Sequence, residues 1–215
     1  MITITRLRRG LTAILLLANL SLLVVYLGGW TNLRAQNNKR IVVRPLTLAK
    51  EPIEISLTSG GRRLETKKTM HPERGASQEE FEGDKDWLKN LNLKITNTTN
   101  KAITYIVLDL TFPETSGSDQ RVGLHQIFLG VDPERSFSRP ELHLAPNDSI
   151  EVSLGARFKE IKDLVEHRVK IEDVTQMEVR VHQVLFDDGT LFETGNMYRR
   201  NPNPNDPHKW IKIDS

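Results

Sequence analysis

Short apolar alternations fill most of this 215-residue chain beyond residue 40 and predict a mainly β protein, an antiparallel β-sandwich. Three observations carry that expectation. Several runs place apolar residues at every second position, which exposes one strand face and buries the other. Turn-rich segments separate the runs. Beyond the N-terminal segment, only residues 158–169 carry apolar side chains at helical spacing.

The N-terminal segment comes first. Arg6, Arg8 and Arg9 precede an apolar run over residues 11–27 that, extended to Trp30, is about 30 Å long as a helix, enough to cross a bilayer core. The cations suit the cytoplasmic side, and Tyr26 and Trp30 suit the opposite interface. Residues 1–35 therefore read either as a signal-anchor or transmembrane helix that stays, or as a signal peptide cut after Ala35. In both cases the rest of the chain is exported, tethered to the membrane in the first and secreted in the second.

The segment also distorts the charge balance. The chain holds 30 Lys and Arg against 28 Asp and Glu, but Arg6, Arg8, Arg9 and Arg34 lie in the first 35 residues, where there is no acid. The remainder is net −2. No cationic footprint for nucleic acid is left. Cysteine is absent, which excludes disulfides, a thiol nucleophile, cysteine-bound zinc and the lipidation cysteine of a lipoprotein.

Residues 36–200 carry the sandwich. Ile53, Ile55 and Leu57 share one strand face, as do Leu91, Leu93 and Ile95, and then Ile150, Val152 and Leu154. Residues 103–112 differ because both faces are apolar: Ile106, Leu108, Leu110 and Phe112 on one, Ile103, Tyr105 and Val107 on the other. This suits a central strand covered in part on its second face. In "QMEVRVHQVLF" the phase of Met177, Val179 and Val181 slips to Val184 and Phe186, the sequence mark of a β-bulge that would re-aim His182. Asp188 and Gly189 supply a hairpin turn, Leu191 and Phe192 begin the return strand, and Gly195 interrupts it before Met197 and Tyr198. The helix at 158–169, with Phe158, Ile161, Leu164, Val165 and Val169 on one side, is placed at one end of the sandwich.

Two segments look irregular. Residues 59–86 run basic first and acidic later with few apolar groups, so a mobile insertion is expected there. The tail, residues 201–215, has three prolines that forbid ladder bonding and then "WIKI", a terminal strand or a docking anchor. The join "NTTNK" between the strands at 91–96 and 103–112 reads as a corner in which Asn and Thr bond their own backbone; a glycan acceptor at Asn97 is the sharper alternative.

The stretch "LKITNTTNKAITYIVLDLTF" resembles the early strands of immunoglobulin-like accessory domains in exported bacterial proteins. The ending "VRVHQVLFDDGTLFETGNMYRR" is similar to the final hairpin of membrane-anchored or secreted bacterial β-sandwich proteins. The resemblance covers about residues 90–200. It implies an immunoglobulin-like β-sandwich on the periplasmic or extracellular side of a bacterial inner membrane, and it brings no catalytic residue.

Motifs of chemistry are sparse. The chain has no G-x-S-x-G elbow, H-E-x-x-H pair or phosphate-binding glycine loop. Asp163 and His167 lie one helical turn apart, too few for a metal site. "DDGT" is turn chemistry, since the spaced calcium loop is missing. Glu79 and Glu80 read as solvated charge. No cofactor, metal or catalytic group is expected, although a hydrolase would need His125, His143 or His182 to converge with an acid. The best candidates for a partner-binding site are Tyr198, Arg199, Arg200 and Trp210, since aromatic and Arg residues on a late edge strand are typical interface anchors. The expected function is a non-catalytic, protein-binding or assembly module of the envelope; carbohydrate or cell-wall binding is the alternative.

Overall fold

Each strand named above forms, and its alternation decides which side it buries. The computed structural model describes residues 39–46, 51–70, 77–117, 122–132, 141–203, 205–206 and 208–213, so the apolar segment at 1–35 and His71 lie outside the described residues. Among the described residues no helix is long and apolar enough to cross a membrane.

The smaller sheet has the order β3-β2-β6-β9. It consists of β2 (Ile53–Ser59), β3 (Arg62–Arg63), β6 (Leu91–Asn97) and β9 (Ser149–Ser153), all antiparallel. Leu57, Leu93 and Val152 stand abreast across it, and Ile55, Ile95 and Ile150 form the next row. Direct cross-strand neighbours of this kind are the unit that stabilises a sheet.

The larger sheet has nine strands centred on β10 (Gln176–Phe186). Along one side β10 pairs with β7 (Ile103–Phe112), which pairs in turn with β8 (Gly123–Gly130). On the other side the first half of β10 meets β1 (Lys39–Leu46) and the second half meets β11 (Thr190–Glu193). From β1 the order continues to β5 (Ser77–Gly83) and β4 (Lys67–Met70); from β11 it continues to β12 (Asn196–Arg200) and β13 (Trp210–Ile213). Leu93 and Ile95 of the small sheet join Ile106, Leu108, Val179 and Val181 of the large one in a single hydrophobic cluster. Burial of these side chains, each contributing about 1.5–3 kcal/mol, is the main force holding the two sheets together.

The structure corrects the expectation of a purely antiparallel sandwich. β1 runs parallel to β10, Val43 opposite Met177, so the large sheet is mixed. Alternation reports which face is buried and carries no information on the direction of the neighbouring strand. A second correction concerns residues 59–86, which carry β3, β4 and β5 instead of forming an irregular insertion throughout. Their basic and acidic blocks lie face to face: Lys67 stands opposite Glu80 and Lys68 opposite Glu79. Glu79, read from sequence as solvated, is buried; Thr66 Oγ1 donates to it at 3.0 Å, and Lys68 Nζ is 3.8 Å away. Arg40 donates to both oxygens of Glu80, from Nε and Nη2. Gly60 and Gly61, with φ of 56° and 75°, make the tight turn that brings β3 back to β2.

The helix expected over 158–169 forms as α2, after the short α1 (Trp87–Asn90), but only over Phe158–Val165, ending before Val169; Ile161 and Val165 are fully buried against the core. The slip in β10 is also present: the register shifts between Val181 and Gln183, so His182 is the extra residue.

The "NTTNK" join is a corner, and Asn97 is its centre. The side chain is 0% exposed. Its Nδ2 donates to the carbonyls of Lys101 at 2.8 Å and Leu144 at 2.9 Å, while Oδ1 accepts from Thr99 N at 3.0 Å and Thr99 Oγ1 at 2.8 Å. Backbone bonds from Asn97 N to Asp148 O and from Asn147 N to Asn97 O complete the tie to the segment before β9. An amide nitrogen buried with both hydrogens used has no room for a glycan, which rules out that reading of Asn97 in the folded chain.

Candidate functional site

Two surfaces collect polar and aromatic groups. The first holds the residues singled out from sequence. β12 pairs with β13 so that Arg200 stands opposite Trp210, Arg199 opposite Ile211, and Tyr198 opposite Lys212. Tyr198 is therefore not on the edge strand; β13 ends the sheet and β12 lies one place inside it. The pleat separates the four candidates. Tyr198, Arg200 and Trp210 share one face with Leu191, while Arg199 lies on the other with Phe192's partner Met197, which packs on the core. Arg199 and Arg200 are exposed, and Tyr198 and Trp210 are half-buried.

The second surface is the face of β7, β8 and β10 turned away from the shared core. Here Glu178 lies opposite Thr111, and Arg180 opposite Asp109, whose other neighbour is Gln126. The bulge turns His182 so that Nδ1 sits 3.1 Å from Asp109 Oδ2. Gln126 Nε2 donates to Asp109 Oδ1 at 2.9 Å, fixing the carboxylate from its second side. Arg44 of β1 donates to Glu178 at 3.2 Å. Arg180 is exposed and has no hydrogen-bond or ion-pair partner among the described residues.

A groove of about 350 Å³ opens beside this cluster, lined by Asp109, Thr111, Glu178 and Arg180 from the strands, by Pro113 and Ser116 from the turn after β7, and by the apolar Val122 just before β8. That turn is held at both ends. Thr115 Oγ1 donates to Phe112 O and accepts from Gly123 N, both at 2.6 Å, and Glu114 Oε1 accepts from Thr175 N at 2.8 Å. The groove wall is thus fixed by bonds to the starts of both β8 and β10.

Of the six histidines, His182 alone among those described has its imidazole ring within hydrogen-bond distance of a carboxylate side chain. His125 faces the core side of β8, 3.7 Å from Glu160 of α2, and its buried Nε2 has no hydrogen-bond partner. Burial pushes its imidazolium below the usual histidine range; the charge of Arg157 adds to this and Glu160 opposes it. His143, His167 and His208 are exposed, and Asp163 with His167 gathers no further ligand. Among the described residues no group of three or more His, Asp or Glu is placed to hold a metal ion.

Sequence reading found the bulge at His182 but missed Asp109, Gln126, Glu178 and Arg180 as its neighbours. The outward stripe Glu178, Arg180, His182 was present at period two. Only the register of β10 on β7 shows that Asp109 is its counterpart. Compared with family models, curated proteins and solved structures, the chain matches none.

Proposed function

We propose that the chain is a non-catalytic, exported protein of a bacterial envelope, in which a β-sandwich of immunoglobulin-like type serves as a protein-binding or assembly module. The order β2-β6-β9 against β11-β10-β7-β8 supports that type, because consecutive strands cross between two sheets as they do in such domains. The apolar, Arg-flanked segment at 1–35 supports export and tethering, which would confine the search for a partner to the membrane surface.

The observation that carries the binding role is the end of the large sheet. β13 is a terminal strand with Ile211 and Ile213 along it, and its partner strand presents Arg200 directly beside Trp210. An edge strand offers backbone groups for strand addition, and an adjacent Arg and Trp supply the side-chain anchors that dominate interface energetics. Edge strands in monomers are usually short or charged to prevent such pairing; β13 is four residues long and carries one charge, Lys212, leaving Trp210, Ile211 and Ile213 as its other side chains.

The test is purification of the tagged full-length chain from its native membranes, beside an Arg199→Ala, Arg200→Ala variant. A stoichiometric partner retained by the parent and lost from the variant is the expected result. Equal recovery from both would remove this surface from consideration.

A further inference from the structure

The groove between β7 and β10 has the makings of a separate ligand site. Arg180 is a planar, permanently charged fork with no side-chain partner among the described residues, placed at the groove. The hydroxyls of Thr111 and Ser116 line the same space and make no side-chain hydrogen bond among the described residues. Such a set is matched by a carboxylate, which a guanidinium binds through two parallel N–H bonds.

The acids in the groove narrow the class. Asp109 and Glu178 are each already compensated, the first by His182 and Gln126 and the second by Arg44, yet each carboxylate keeps lone pairs that can accept. They would repel a phosphate dianion more than a carboxylate monoanion, and their spare acceptor capacity suits ligand hydroxyls. The volume, about 350 Å³, is at the low end of small-molecule sites, which run from about 300 to 1,000 Å³. Among the described residues no aromatic side chain lines the groove, so a neutral sugar would find no stacking platform there and would leave Arg180 unused. The turn holding Pro113 and Ser116 is pinned to β8 and β10, so little ordering would be required on binding.

We propose that this groove binds a small hydroxy acid of the size of a single uronic acid ring. Arg180 takes the carboxylate, Thr111 and Ser116 donate to it, and Asp109 and Glu178 accept from the ring hydroxyls. The site lies on the first half of β10, whereas β11, β12 and β13 extend from the second half, so it stands or falls independently of the binding surface proposed above.

Isothermal titration of the full-length chain in detergent micelles with D-glucuronate, D-glucose and inorganic phosphate tests this directly. Glucuronate is expected to bind with millimolar affinity, with glucose and phosphate weaker by about ten-fold or more. Arg180→Met should abolish glucuronate binding, and Arg180→Lys, which keeps the charge and loses the fork, should weaken it by several-fold, both with unchanged circular dichroism. Asp109→Asn serves as a second variant should Arg180→Met misfold, and it should also lower affinity. Absence of binding by glucuronate, equal binding of glucose, or glucuronate affinity undiminished in Arg180→Met would each overturn the proposal. Phosphate binding as tightly as glucuronate would overturn it too, leaving a general anion site.

Discussion

The corner at Asn97 and the outer face of β7 and β10 are both built from polar side chains on strands, yet they use them in opposite ways. At the corner every donor and acceptor of the amide is engaged inside the protein, and the side chain is sealed from water. On the outer face Asp109 is engaged on both oxygens, but the Arg180 guanidinium has no partner among the described residues. A buried group left unpaired would cost about 1–3 kcal/mol, so a corner must be completed by the chain itself. A surface group has water as its alternative partner, and capacity left open there is available to a ligand. The contrast separates polar residues that hold the fold from polar residues that are free to recognise something.

The strongest test of this contrast is Asn97→Ala. It leaves the Thr99 amide without its partner and takes one of two donors from each of the Lys101 and Leu144 carbonyls, which keep Thr99 Oγ1 and Ile103 N, and it should cost about 1–3 kcal/mol, seen as a fall in melting temperature of about 3–9 °C. Arg180→Met, by comparison, should leave the melting temperature within a degree or so. A small loss at Asn97, or a large one at Arg180, would break the distinction.

The difference in legibility between the two regions follows from the range of the interactions. The corner was readable because Asn97, Thr99 and Lys101 are close in sequence and the turn chemistry of Asn and Thr is local. Its tie to Leu144 was not, since the two residues are 47 positions apart. The outer face needed a register: His182 and Asp109 are 73 residues apart, and Arg44 and Glu178 are 134 apart. Alternation told which residues of each strand face outward and said nothing of which strands are neighbours or which way they run. For the same reason the parallel β1 and the paired β4 and β5 escaped notice, although the opposite charges of Lys67, Lys68, Glu79 and Glu80 were in plain view.

A smaller effect is expected at the β10–β11 turn, which is local like the corner but half open to water. Partial burial acts to raise the Asp188 pKa, but hydrogen bonds from Lys101 and Thr190 outweigh it and hold the carboxyl at about 2. Its folded value is depressed, so its stabilisation is present above the ordinary 3.8 and is lost as pH falls toward 2. Solvent screening at a half-exposed site reduces the benefit, and Asp188→Asn should cost about 0.5–1 kcal/mol at neutral pH. The gap between parent and variant in urea unfolding should close on acidification through that window. A gap that stays constant would mean that the Lys101 ion pair contributes nothing.

His125 gives the same pH sign in a higher window, at a site that is buried but incomplete. Because burial lowers its folded pKa, the neutral form is favoured in the native state, and its contribution is fully present above 6.5 and lost as pH falls through the lower folded value. His125→Gln should therefore flatten the decline in melting temperature on the acid side of neutrality. Parallel profiles for the parent and the variant would show that Glu160 fully compensates the charged imidazole.

The smallest effect on stability is expected where the proposed partner contact lies. Arg199 and Arg200 project from β12 into solvent, and replacing both with Ala should change unfolding free energy by no more than about 0.5 kcal/mol. A fold-holding residue and a recognising residue then differ in kind: Asn97→Ala removes stability first and binding only as a consequence, whereas the Arg pair removes binding with stability intact. Hydrogen exchange on β13 extends the test, because strand addition would slow exchange of the outward-facing amides of residues 210–213 in the complex and leave those of β9 unchanged. If the Arg variant lost its partner while β13 exchanged at the same rate free and bound, the contact would be made by side chains of β12 and β13, with the sheet edge left uncovered.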